Sequence, residues 1–265
     1  MRAGGREVAC GAGVLALLWL GCATPGPPMR PVAPGDPAVV AALEAWRSQA
    51  AERQGLRALA RLAVDASESA GGEALRLRAR QRLWLARPGR LRVEVLGLLD
   101  GAAAVLAVDG GRYALLQPPA RSVERGAVYP GLLWDVARLD LSPEEAVGLL
   151  LGAPTLGEGW SVVEASRIGD ELQVALHHLV TPARRNARFG PDGALRGLEQ
   201  RDARGALAWG VRYADYVGLD GAPFAREILL RSDDAEARVV LRDVELNPKL
   251  PPELFRLRDL DGEGG

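Results

Sequence analysis

Two periods divide the chain. Val39, Leu43, Trp46 and Ala50 recur at helical spacing, with Gln49, Glu52 and Arg53 on the other side. This predicts an amphipathic helix of about four turns, ended by Gly55 as a left-handed cap. From Leu56 the period becomes two. In Arg76-Leu77-Arg78-Ala79-Arg80-Gln81-Arg82-Leu83-Trp84-Leu85, the apolar positions Leu77, Ala79, Leu83 and Leu85 share one face and the arginines the other. Pro88-Gly89 makes a turn, and Arg90 to Val95 alternates again, with Leu91, Val93 and Val95 on one face. Further strands are predicted at 57–65, 102–109, 111–117 and 120–125, with a tight hairpin at Asp109-Gly110-Gly111.

Two helices interrupt the alternation. Tyr129-Pro130 opens one, with Leu132, Leu133, Val136 and Leu139 apolar. Ser142-Pro143-Glu144-Glu145 opens the other as a capping box with Pro at the first helical position, and Gly152 and Pro154 end it. Seven more strands follow at 160–168, 171–180, 184–190, 194–202, 206–217, 223–232 and 236–246, separated by Asp- and Gly-containing turns. Turns every 8–12 residues mark an all-β sandwich or barrel. A single sheet of this size must curl to cover its apolar face, and two or three helices suffice to plug one mouth of it.

The chain ahead of this domain reads as an export signal. Arg2 and Arg6 precede an apolar run from Val8 to Leu20, which ends at Gly21-Cys22. The run is too short to span a ~30 Å hydrocarbon core comfortably. Leu18-Trp19-Leu20-Gly21-Cys22 resembles the bacterial lipobox, with Trp19 and Leu20 as departures from it. The resemblance implies a signal peptide over 1–21 and a membrane-anchored, acylated Cys22. Once the signal is removed Cys22 is the only cysteine, so no intramolecular disulfide is available and the core must hold the fold. The plainer alternative is a secreted protein with an unmodified thiol. Residues 22–37 are rich in Pro and Gly and read as a semi-rigid tether. Ala23 after the cysteine differs from the Asp that resembles an inner-membrane retention signal, which leans towards the outer membrane. The domain is expected over 38–258 and a disordered tail over 259–265.

Composition and chemistry exclude more than they assign. Net charge is −1, which argues against nucleic-acid binding. Lys249 is the only lysine among the basic residues. His177 and His178 are adjacent, so on a strand they face opposite sides and cannot share a metal. Gly159-Trp160-Ser161-Val162-Val163 begins like a nucleophile elbow but lacks its second Gly. No catalytic residue, metal or cofactor is expected. The arginine row at 76, 78, 80 and 82 reads as a solvated strand face, or as a surface for anionic lipid or an acidic partner.

The element order and three stretches resemble the bacterial lipoprotein carriers and receptors LolA and LolB and their lipidated relatives. The stretches are Leu59 to Gly101, closing in Gly97-Leu98-Leu99-Asp100-Gly101; Tyr213-Ala214-Asp215-Tyr216 with Asp220-Gly221; and Leu246-Asn247-Pro248 with Pro252-Glu253-Leu254-Phe255. The resemblance implies a mainly β fold: a strongly curved antiparallel sheet forming an incomplete barrel, with helices plugging the concave side. It implies a cavity for an acyl chain or lipidated protein, lined by Leu77, Leu83, Leu85, Leu91, Val93 and Val95, and a membrane-contact loop at Leu98 and Leu99. Those leucines either protrude or fold back on the core. The implied role is lipoprotein or lipid trafficking to the outer membrane, from an anchored position facing the periplasm, with a periplasmic carrier as a further partner. The alternative is a scaffolding lipoprotein whose cavity is filled.

Overall fold

A computed structural model describes residues 28–67, 74–117 and 123–256. Cys22, the apolar run before it and the tail 259–265 lie outside the described residues. The first part comprises β1 (Met29–Val32), α1 (Pro37–Glu52), β2 (Gly55–Ala66), β3 (Leu75–Ala86), β4 (Arg90–Leu96), β5 (Ala102–Asp109), β6 (Arg112–Leu116) and β7 (Glu124–Ala127). Helices α2 (Leu132–Ala137) and α3 (Pro143–Leu150) follow. Then come β8 (Trp160–Ile168), β9 (Glu171–His178), β10 (Arg184–Phe189), β11 (Leu195–Arg201), β12 (Leu207–Leu219), β13 (Ala222–Arg231) and β14 (Ala235–Leu246). A 3-10 turn, Pro252–Phe255, closes the described chain.

All the strands join one antiparallel sheet in the order β1-β8-β9-β10-β11-β12-β13-β14-β2-β3-β4-β5-β6-β7. The sheet is not closed: β1 and β7 are its two edges, so the barrel is incomplete. The two halves of the chain meet at β14 and β2, paired from Ala235↔Ala66 to Leu246↔Leu56. Register shifts at Val95/Leu96, Val162/Glu164, Arg188/Phe189 and Arg242/Glu245 mark bulges, which bend a strand and sharpen its twist.

This strand order puts the helices where they are. β7 is one edge, while β8 lies next to the other. The connection between them must cross the whole sheet, and it carries α2 and α3. Likewise α1 runs from edge strand β1 to central strand β2. Both connections bury their apolar sides in the core that the sheet's inner face begins. Val39, Leu43 and Trp46 of α1, Leu132 and Leu133 of α2, and Val147 and Leu149 of α3 join one cluster with Leu56, Leu85, Leu176, Leu198, Phe189 and Ile228. The α3 capping box forms as expected, with Ser142 Oγ accepting from Glu145 N at 3.2 Å and Glu145 accepting from Ser142 N at 2.9 Å.

Three local features differ from the sequence reading. Met29–Val32, inside the stretch read as a tether, is a strand paired with β8. Pro31 lacks a donor and so is confined to an edge strand, which is where β1 lies. Gly55 is not a helix cap. The helix ends at Glu52, and Gly55 begins β2 with a Cβ position only 3.0 Å from the Leu85 carbonyl oxygen. The strand expected at 120–125 is β7, at Glu124–Ala127.

Candidate functional site

The inner face of β2, β3 and β4 carries the expected lining residues in one register. Leu85 pairs with Leu91, Leu83 with Val93, and Gln81 with Val95, while Leu77 faces Val64. Along these strands the environment changes. Leu83, Leu85 and Leu91 are 2%, 0% and 3% exposed and belong to the packed core. Leu77, Val93 and Val95 are only half-buried, as are Leu75 and Ala79. One end of the concave apolar face is therefore covered, and the other is open.

The covered end is bolted shut. Trp46 is buried, donates its indole N–H to Pro154 O at 2.6 Å, and sits with its ring centroid 6.1 Å from that of Phe189. Three arginines hold the loop after α3. Arg53 donates to Leu151 O and Gly152 O, each at 3.3 Å, and to Pro223 O at 2.7 Å, with its guanidinium over Phe224. Arg87 donates to Ala153 O and to Thr155 Oγ1. Arg185 donates to Thr155 O at 3.0 Å and Leu156 O at 3.2 Å, and its guanidinium lies 4.4 Å from the Trp160 ring centre. Burial lowers all three, Arg185 to about 10, so each remains a cation at neutral pH and serves as a pure donor. Tyr213 adds a hydrogen bond from its hydroxyl to Leu149 O at 3.0 Å, and burial pushes its phenol well up. None of these braces was legible beforehand, because arginine is the chain's ordinary cation and nothing in the local pattern separates these three from the rest.

The open end carries the leucine pair. Gly97 N donates to Gly101 O at 2.8 Å, and Asp100 N to Gly97 O at 3.2 Å, closing a turn with Leu98 and Leu99 at its centre. Asp100 adopts φ 59°, a left-handed conformation that Asp tolerates. From the outer face Arg80 forms an ion pair with Asp100 at 2.6 Å, and Arg82 donates to Asp100 O at 3.2 Å. The turn cannot fold back while so tied. Leu98 is 100% exposed and Leu99 97% exposed.

A second apolar tip escaped the sequence reading. β9 stops at His178, two residues short of the expected strand end, which leaves Leu179 and Val180 in the turn to β10, 65% and 87% exposed. The His178 ring caps that turn by accepting from Val180 N and Thr181 N at Nδ1. The signal was Thr181-Pro182, which breaks the strand earlier than alternation alone suggested. His177, on the opposite face, meets Ser161 Oγ at 3.1 Å, and no carboxylate among the described residues orients that imidazole. Among the described residues no group of three or more His, Cys, Asp or Glu is placed to hold a metal ion, and no helix is long and apolar enough to cross a membrane.

No protein-family description matches the sequence, and no curated protein matches it. Solved structures do. A LolA superfamily protein from Nitrosomonas europaea matches with TM-score 0.54 at 12% identity, covering 81% of this chain and 97% of that one. A DUF1329 family protein from Desulfovibrio piger matches with TM-score 0.57 at 12% identity, covering 83% and 97%. A domain named for outer membrane lipoprotein sorting, from Vibrio parahaemolyticus, matches with TM-score 0.50 at 10% identity, covering 82% and 95%. At these identities the likeness establishes the fold, which is that of the LolA superfamily.

Proposed function

We propose that this chain, with its LolA-superfamily fold, is a lipid-anchored envelope protein that binds an acyl chain or a lipidated protein at the open end of its concave face. In this reading Cys22 carries the anchor, Leu98 and Leu99 touch the bilayer, and Leu77, Val93 and Val95 receive the acyl chain, with Leu83, Leu85 and Leu91 as the floor behind them. The protein is a carrier or receptor in lipoprotein or lipid trafficking to the outer membrane, facing the periplasm, and not an enzyme. A periplasmic carrier protein is the natural partner for exchange. No cofactor is required.

One observation carries the reading: two fully exposed leucines are held on a tied turn beside a half-buried apolar strip. Leaving a Leu in water forgoes roughly 1.5–3 kcal/mol of burial, which a bilayer or an acyl ligand would recover. The LolA-like fold of a neighbour named for lipoprotein sorting supports the same direction. Native mass spectrometry after gentle extraction tests it: the expected result is a co-purifying lipid or acylated peptide, lost when Val93 is changed to Glu. A second reading, a scaffold with a filled cavity, draws on the covered end, where Trp46, Val147 and Leu149 already occupy the concave side. A bare polypeptide mass in every preparation would favour it. Metabolic labelling with a clickable fatty acid tests the anchor: label should be lost in Cys22→Ser, and equal labelling of both forms would overturn it.

A further inference from the structure

The outer face behind the leucine turn is unusually cationic. A groove of about 830 Å³ runs across β14, β2, β3 and β4 there, and Leu98 forms part of its lip. Its walls carry Arg61, Arg78, Arg80, Arg238 and Arg242, and no carboxylate is among its lining residues. Its floor is apolar, with Ala63, Val240 and Leu96.

Three of the five cations are satisfied at the edges. Arg78 pairs with Asp65 at 2.7 Å, Arg80 with Asp100 at 2.6 Å, and Arg238 with Glu227 at 2.8 Å. Arg61 and Arg242 have neither ion pair nor hydrogen bond among the described residues. Arg61 also stands directly opposite Arg80 in the β2–β3 register. Like charges so placed oppose folding. Another groove on the outer face makes the contrast. It holds Arg188 and Arg212, but Glu164 and Glu199 join them and its floor is polar, with Ser166, Gln173 and Asn186.

We infer that the groove over Arg61 and Arg242 is a binding site for the phosphate of an anionic phospholipid headgroup, in the bilayer that Leu98 and Leu99 enter. The inference rests on the membrane-contact reading and deepens it. Charge and depth both fit. Guanidinium forks match phosphate oxygens bidentately. Arg61 and Arg80 lie in the row of Leu96, two residues behind Leu98, which at ~3.3 Å per residue is roughly 7 Å. With the leucines in hydrocarbon, that row sits in the headgroup layer, a few ångströms thick on each side of the core. The apolar floor suits the glycerol and first methylenes of the same lipid.

The test compares full-length Cys22→Ser chains, all with the same N-terminal segment, so that its contribution cancels. Partition is measured onto vesicles of phosphatidylcholine alone and of phosphatidylcholine with phosphatidylglycerol, at fixed ionic strength. Arg61→Gln with Arg242→Gln should cut the preference for phosphatidylglycerol by about tenfold or more. It should leave partition onto phosphatidylcholine unchanged, and melting at or above the parent value because the facing arginine is gone. Arg188→Gln with Arg212→Gln removes the same charge from the other groove and should leave the preference intact. An equal loss in both pairs, or none in the first, would overturn the site. So would a preference erased by millimolar inorganic phosphate against matched chloride, since the ligand would then be free phosphate. Leu98→Ser with Leu99→Ser tests the underlying reading separately, because it should lower partition onto both vesicle types alike.

Discussion

Leu85 and Leu77 lie on the same face of the same strand, yet they live in different regions of the molecule. Leu85 is wholly buried where the crossing helices press on the sheet, while Leu77, eight residues nearer the leucine turn, is half-buried. The two ends also use arginine differently. At the covered end Arg53, Arg87 and Arg185 are turned onto backbone carbonyls. At the open end arginines stand on the outer face, paired with surface carboxylates or left free. The lesson is that the helical plug is a fixed part of the fold rather than a lid. Any ligand must enter where the arginine braces are missing.

That contrast can be broken in graded steps. Leu85→Ala should cost about 3–5 kcal/mol, since the surrounding core cannot fully collapse on the void, whereas Leu77→Ala should cost under about 1 kcal/mol. Urea unfolding of both variants reads the difference directly, and equal costs would mean the open end is also sealed. Next comes Arg53→Met, which leaves the Leu151, Gly152 and Pro223 carbonyls without their donor; a loss of about 2–3 kcal/mol is expected. Hydrogen exchange in the loop after α3 should speed up in that variant, and unchanged exchange would show that the loop is held otherwise. Ser142→Ala removes the α3 cap and should cost about 1 kcal/mol. Smallest in stability is Leu98→Glu with Leu99→Glu. Melting should barely move, because neither side chain is buried, while vesicle binding should fall sharply. Loss of the fold in this pair would return the leucines to the core.

Much of the open sheet was legible from alternation alone. The strict period of Arg76 to Leu85 assigned inner and outer faces correctly, because one-sided burial leaves no other register. The capping box at Ser142 was legible because its chemistry is local. The edge strand β1 was not, since three prolines between Pro27 and Pro31 mask two apolar positions and an edge strand needs only half its donors. The division of the lining residues into covered and open sets was also hidden. It depends on β7 and β8 lying at opposite ends of the sheet, which sends α2 and α3 over Leu83, Leu85 and Leu91 but not over Leu77. Leu98-Leu99 stood out by its flanking glycines, whereas Leu179-Val180 was absorbed into a strand that in fact ends at His178.

The most direct test is titration of a fluorescent acyl probe into the full chain and its Leu77→Glu and Val93→Glu variants, each checked for cooperative unfolding. The expected result is saturable binding by the parent chain, lost in both variants while they remain folded, because a carboxylate in the apolar strip must be desolvated against the acyl chain. Unchanged saturable binding in the folded variants, or no saturable binding by the parent chain, would contradict an acyl site at the open end.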